Sequence, residues 1–77
     1  MSLIETITNA IREAIPDAES EVQGGGGHFT VKVTSGVFAN LPTLQAHRLV
    51  YTALAPLMKG DDAPVHAIDK LSTQTKG

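Results

Sequence analysis

The sequence predicts an α+β domain of order α-β-β-α-β, with a three-stranded sheet and both helices packed on one face. Two segments repeat apolar residues at helical spacing, and two shorter segments alternate apolar and polar residues as strands do. A third, less regular strand follows the second helix. At 77 residues the chain is near the size at which one hydrophobic core is only just sufficient. We therefore expect residues 1–77 to form a single domain.

The first helix is predicted over residues 2–15. Ser2, followed three residues later by Glu5, can form a capping box. The apolar stripe of this helix consists of Leu3, Ile4, Ile7, Ala10, Ile11, Ala14 and Ile15. Pro16 ends the helix, because the residue before a proline is pushed out of the helical region. The polar face is not basic, which favours packing against a core over a membrane anchor.

A β-hairpin is predicted after the first helix. Residues 18–23 alternate, and residues 28–35 alternate again with Phe29 inward and His28 outward. The glycines at 24–27 match the letters of a phosphate-binding G-x-x-G motif. Such loops lead from a strand into a helix or join two helices, whereas this run joins two strands. A flexible hairpin tip that can open is therefore favoured over a phosphate site.

The main core helix is predicted over Thr43–Met58. Its expected apolar face consists of Leu44, His47, Val50, Tyr51, Leu54, Leu57 and Met58. Pro42 suits a first-turn position, where a missing N–H costs nothing. Pro56 removes a helical hydrogen bond, so the helix should run on for at most about one turn beyond it. Ahead of the helix, Phe38 is expected to tuck against the core.

The remaining residues are expected to form a turn, a strand and a loose tail. The turn is placed at residues 60–64 and the third strand at residues 65–71, while residues 72–77 have nothing to bury. His66 opens this strand on the side opposite Val65. A surface histidine is the simplest interpretation from spacing alone.

Composition excludes several functions. Six basic and eight acidic residues give a net charge of −2, so there is no overall attraction to nucleic acid or to an anionic membrane. The chain has no cysteine, so it can supply neither a disulfide nor a thiolate. No signal peptide and no apolar run of membrane-spanning length is present. We expect a soluble cytoplasmic domain that does not engage a membrane.

The three histidines do not form a recognisable catalytic or metal-binding motif. His47 falls in the predicted apolar face, which favours a core histidine, and His28 taken alone would be a surface residue. No H-x-x-x-H or H-E-x-x-H pair occurs, and the acidic residues are dispersed. No nucleophile–base pair can be argued from spacing. The sequence therefore predicts a protein that is not an enzyme.

Two motifs make the chain resemble the BolA family. They are His-Arg-Leu-Val-Tyr at residues 47–51 and Val-His-Ala-Ile at residues 65–68. A glycine-rich loop ending in His28, and Ser35 with Phe38 ahead of the main helix, agree with it. The resemblance covers nearly the whole chain and implies a fold related to class II KH domains. At residues 69–71, Asp-Lys-Leu inverts the family's usual order of apolar residue and lysine.

The resemblance also implies a function and a site. Members of the family pair with a monothiol glutaredoxin of the CGFS type and share a [2Fe–2S] cluster with it. The glutaredoxin cysteine and glutathione supply sulfur on one side of the cluster. Carried over by position, the metal ligands of this chain would be His66 and His28. The implied role is an adaptor in iron–sulfur trafficking or iron homeostasis, with no cofactor on the isolated chain, which would be a monomer or weak homodimer.

A second hypothesis is DNA binding, as a transcriptional regulator of the stress or morphogene type. Some members of the family have this role, but six basic residues spread along an acidic chain make a poor phosphate-neutralising surface. A small hydrolase or transferase is disfavoured because the nucleophile–base pair is missing. The glutaredoxin adaptor is therefore the leading hypothesis.

Overall fold

The computed structural model describes residues 2–60 and 63–76. Its helices and strands, in chain order, are α1 (Leu3–Ala14), β1 (Glu19–Gly25), β2 (His28–Thr34), a 3₁₀ helix (Gly36–Asn40), α2 (Thr43–Met58) and β3 (Ala67–Gln74). β2 lies at the centre of the sheet, antiparallel to β1 and parallel to β3. The predicted α+β class and element order are confirmed. In the described part of the chain, no helix is long and apolar enough to cross a bilayer.

Two predicted features fall partly outside the described residues. The turn expected at residues 60–64 includes Asp61 and Asp62, and the expected loose tail includes Gly77.

At the other end of the chain, the predicted helix start is confirmed in detail. The backbone N–H of Glu5 donates to Ser2 Oγ over 3.1 Å, so Ser2 caps α1 as half of the expected capping box.

Side chains from both helices and the sheet form one core. Its buried members are Ile7, Ile11, Ile15, Ala18, Phe29, Val31, Val33, Phe38, Ala46, Val50, Leu54 and Val65. β2 contributes its inward alternate residues, and its outward residues Thr30 and His28 are exposed. Phe38 of the 3₁₀ helix is buried as predicted. The helices thus cover one face of the sheet and leave the opposite face open.

β3 differs from its predicted bounds at both ends. It begins at Ala67 rather than at Val65 and continues to Gln74, so residues 72–74 are not part of a loose tail. These residues pair with residues 32–34 of β2. The prediction was wrong because it considered only the burial of side chains. The backbone groups at the far end of β2 would be left unpaired on this side without residues 72–74, which supply their hydrogen-bond partners.

A β-bulge accounts for the unusual order at residues 69–71. The β2–β3 register shifts by one residue just after Phe29, so Asp69 is an extra residue in β3. Ile68 and Leu71 are three positions apart, and a regular strand would turn them to opposite faces. Both pack against the core because the bulge resets the alternation.

The apolar face predicted for α2 is partly wrong. Leu44 is 63% exposed and Tyr51 is 41% exposed, while the buried residues of the helix are Ala46, Val50 and Leu54. The helix is therefore rotated so that Ala46 faces the core. The predicted face was chosen from the large apolar side chains, but close packing against α1 and the sheet favours an alanine at the contact.

Two further expectations for α2 can be compared with the structure. His47 is half-buried, so the prediction of a core histidine holds only in part. The helix continues to Met58 with Pro56 inside it, as predicted.

A small polar network connects the turn after α1 to the start of the 3₁₀ helix. The buried Ser35 hydroxyl donates to Asp17 Oδ1 over 2.5 Å, and the Gly36 N–H donates to Asp17 Oδ2 over 2.9 Å. Ser35 Oγ also accepts from the Val37 N–H over 3.2 Å. Together the Ser35 and Gly36 hydrogen bonds lower the pKa of Asp17 below its ordinary value of 3.8.

Ser35→Ala is expected to raise the pKa of Asp17 toward its ordinary value. A lowered pKa contributes stability that is present above about pH 3.8 and is lost as the pH falls through the folded-state pKa. The variant should therefore lose less stability than the wild type on acidification. NMR titration of the Asp17 carboxyl carbon and urea unfolding in acid measure both effects. Ser20→Ala in β1 is the control, and an unchanged Asp17 titration in Ser35→Ala would contradict the prediction.

Candidate functional site

The hairpin between β1 and β2 is tighter than the sequence suggested. Gly24 and Gly25 pair with Phe29 and His28, which leaves only Gly26 and Gly27 in the turn. Both turn glycines have positive φ, 63° and 85°, as a two-residue type I′ hairpin requires. The expectation of an open, flexible four-glycine loop is thus not met, because half of the run is taken up by the strand ladder.

His66 is directed outward by its neighbour on the chain. Val65 is fully buried, and its N–H donates to the carbonyl of Leu57 near the end of α2 over 3.2 Å. Because successive side chains in extended backbone alternate, His66 points the other way and is exposed. Its side chain lies at the surface, just before β3 begins.

The turn carbonyl attaches this segment to the start of β2. Gly27 O accepts from the N–H groups of His66 and Ala67, over 2.8 and 3.0 Å. The imidazole of His66 lies directly against the Cα of Gly27: a Cβ at that position would overlap ring atom Cδ2 and lie 2.9 Å from Cγ. The missing side chain at position 27 is what leaves room for the ring.

His28 stands next to this contact, on the open side of the sheet. Its register partner in β3 is Ala67. Its Nδ1 lies 3.1 Å from Oδ1 of Asp69, two positions further along β3. The side chains of His28 and Asp69 are each 59% exposed.

The two histidines named from the sequence thus lie at the same end of the sheet. His66 contacts the residue that precedes His28, and both histidines are exposed. Within residues 2–60 and 63–76, no group of three or more His, Cys, Asp or Glu side chains is arranged to hold a metal ion alone. The two imidazoles are therefore the candidate ligands at this end of the sheet.

Two contacts at this end of the sheet, those of Gly27 and Asp69, are not predicted from the sequence. The glycine run predicts a flexible loop, whereas the structure requires a glycine where the His66 ring lies against the backbone. Asp69 is one of the dispersed acidic residues of the sequence. Its signal was the parallel pairing of β2 and β3, which brings residue 69 beside His28, but the register could not be known from the sequence.

Gly27→Ala is expected to displace the His66 ring. The left-handed φ costs an alanine about 1–2 kcal/mol, and the new methyl group must also push the ring aside. Gly26→Ala is a matched control, since Gly26 also has positive φ but its Cβ would meet nothing within 4 Å. NMR shifts of the His66 ring should change in Gly27→Ala and not in Gly26→Ala. Equal shifts in the two variants would contradict the contact.

Comparisons with known proteins agree with this fold. Residues 4–77 match the family described as BolA-like protein. The structure is similar to BolA1 from Arabidopsis thaliana, with a TM-score of 0.79, 21% identity and coverage of 97% of this chain and 93% of that one. It is also similar to a bolA protein homologue from Coxiella burnetii, with a TM-score of 0.69, 30% identity and coverage of 97% and 90%.

A sequence relative was also found in Buchnera aphidicola subsp. Baizongia pistaciae (strain Bp). That protein is described only as uncharacterized. It is 29% identical over 56 residues, which are 73% of this chain and 71% of the relative.

Proposed function

Because the chain belongs to the family of BolA-like proteins, we propose that it is an adaptor that pairs with a monothiol glutaredoxin and glutathione. Together they would ligate one [2Fe–2S] cluster, in iron–sulfur trafficking or iron homeostasis. The chain would contribute His66 and His28 and catalyse no reaction of its own. The partner, the cluster and the cytoplasmic location expected from the sequence stay predictions.

One observation supports this proposal above the others. The Gly27 carbonyl binds the backbone of His66 and Ala67, and this ladder contact brings two exposed imidazoles to one end of the sheet. Imidazole nitrogen is an established ligand of iron–sulfur clusters, in which two histidines can replace two cysteines on one iron. The chain thus offers two imidazoles at one end of the sheet, which is the number that one iron of such a centre takes.

The chain lacks the sulfur ligands that a cluster needs. It has no cysteine, and its described residues hold no self-sufficient metal site. Thiolates must come from a partner, and a glutaredoxin cysteine with glutathione provides them. The exposure of both histidines suits such shared ligation, because an approaching protein can reach them without unfolding the chain.

The test is reconstitution of the mixed complex. The chain, a CGFS glutaredoxin and glutathione are combined with iron and sulfide without oxygen, and the product is separated by size. We expect a coloured one-to-one complex whose visible circular dichroism differs from that of the glutaredoxin alone. The double variant His28→Ala/His66→Ala is expected to give the spectrum of the glutaredoxin alone.

The opposite result is equally clear. If the glutaredoxin elutes with its cluster unchanged in the presence of the chain, the proposal is wrong. The same chain is then titrated with duplex DNA at low salt. Binding that weakens with added salt would support the DNA hypothesis instead.

A further inference from the structure

The His28–Asp69 contact joins the hairpin to β3 on the open face of the sheet. Nδ1 of His28 and Oδ1 of Asp69 are 3.1 Å apart, within hydrogen-bond distance. Asp69 is also the extra residue of the β-bulge. The bulge keeps Lys70 opposite Thr30 on the outward side while Asp69 lies beside His28.

This contact favours one tautomer of the His28 ring. An ionised carboxylate can only accept hydrogen bonds, so Nδ1 must be the N–H donor. In the neutral ring Nε2 is then the unprotonated nitrogen, with its lone pair available to a metal. An exposed imidazole without such a partner is free to exchange tautomers and to rotate.

Metal-binding histidines commonly use this arrangement. The ring nitrogen that does not bind the metal donates to a carboxylate, which sets the tautomer and orientation and makes the ligand more basic. Here the carboxylate belongs to the strand that begins directly after His66. β3 therefore begins directly after His66 and, through Asp69, contacts His28.

We propose that Asp69 is a positioning residue that holds His28 with Nε2 outward as its metal-binding nitrogen. The inference rests on the proposed function for the identity of the metal centre. The tautomer itself, however, is a property of the free chain. Loss of an outer-shell partner commonly weakens metal binding by about 10–100-fold, and the exposure of this pair places the expected effect near tenfold.

The first measurement uses the free chain. Two-dimensional ¹⁵N NMR of the imidazoles is recorded at slightly alkaline pH, where neutral rings predominate. We expect His28 to be protonated at Nδ1 in the wild type and to become a tautomer mixture in Asp69→Ala. Asp69→Asn carries an amide that can either accept from Nδ1–H or donate to Nδ1, so it should show a smaller excess of the Nδ1–H form than the wild type. Lys70→Ala, an exposed neighbour in β3, is the matched control and should match the wild type.

The second measurement uses the mixed complex with glutaredoxin and glutathione. An iron chelator is added, and the decrease in the visible absorption of the cluster is followed over time. We expect about tenfold faster loss for Asp69→Ala, an intermediate rate for Asp69→Asn, and the wild-type rate for Lys70→Ala.

The two measurements separate the possible failures. An unchanged His28 tautomer in Asp69→Ala, or wild-type cluster retention in that variant, would overturn the positioning role. A wild-type chain that forms no coloured complex would instead overturn the proposed function. In that case the NMR measurement, made without any partner, still decides whether Asp69 orients His28.

Discussion

If the proposed function is right, His66→Ala is expected to leave the chain folded and to speed the loss of the [2Fe–2S] cluster from the proposed complex with glutaredoxin. The ring is exposed and lies at the surface, so its loss opens no cavity. The backbone hydrogen bond from residue 66 to the Gly27 carbonyl does not depend on the side chain. Because His66 is proposed as a direct ligand, its removal should accelerate cluster loss by more than the ~10–100-fold typical of an outer-shell partner.

Three readouts test this expectation together. Thermal unfolding of the free chain should match the wild type, while the visible absorption and dichroism of the complex should change and the cluster should be lost faster. His47→Ala is the matched control, because it removes a half-buried histidine from α2 rather than the exposed histidine that precedes β3. Spectra and retention identical to wild type in His66→Ala would remove this residue from the site.

The position of the candidate site could be predicted only with the help of the family resemblance. Spacing alone gave His28 and His66 as separate surface residues, thirty-eight positions apart in the chain. What brings them to one end is the parallel pairing of β2 with β3, a contact between segments on either side of α2. Local periodicity carries no information about such a register, so Asp69 could not be assigned a partner either.

The fold was more accessible to prediction because its signals are local. The bounds of α2, the Ser2 cap and the inward residues of β2 all follow from spacing and capping chemistry. The errors arose where tertiary contacts override the pattern. β3 is longer than its apolar residues require because the strand beside it offers hydrogen bonds. α2 turns Ala46 inward, where a methyl group lets the helix pack closely against its neighbours.

Leu54→Ala is expected to destabilise the domain more than any surface change, and Leu44→Ala hardly at all. Spacing placed both leucines on one apolar face, but Leu54 is fully buried and Leu44 is 63% exposed. Truncating a buried leucine costs about 2–5 kcal/mol, whereas a surface substitution usually stays within about 0.5 kcal/mol. Because leucine and alanine are both strong helix formers, propensity adds little to either change.

Urea unfolding followed by far-UV circular dichroism measures both free energies of unfolding. A domain of this size has about 4–12 kcal/mol of total stability, so Leu54→Ala should remove a large fraction of it. If the variant is already unfolded in water, a milder Leu54→Val substitution gives a measurable loss in the same direction. Equal losses at positions 44 and 54 would mean that α2 is not rotated as the structure has it. Val65 belongs to the same core as Leu54 and is hydrogen-bonded to Leu57 of α2. The inward position of Val65, and hence the outward position of His66, would then need a different explanation.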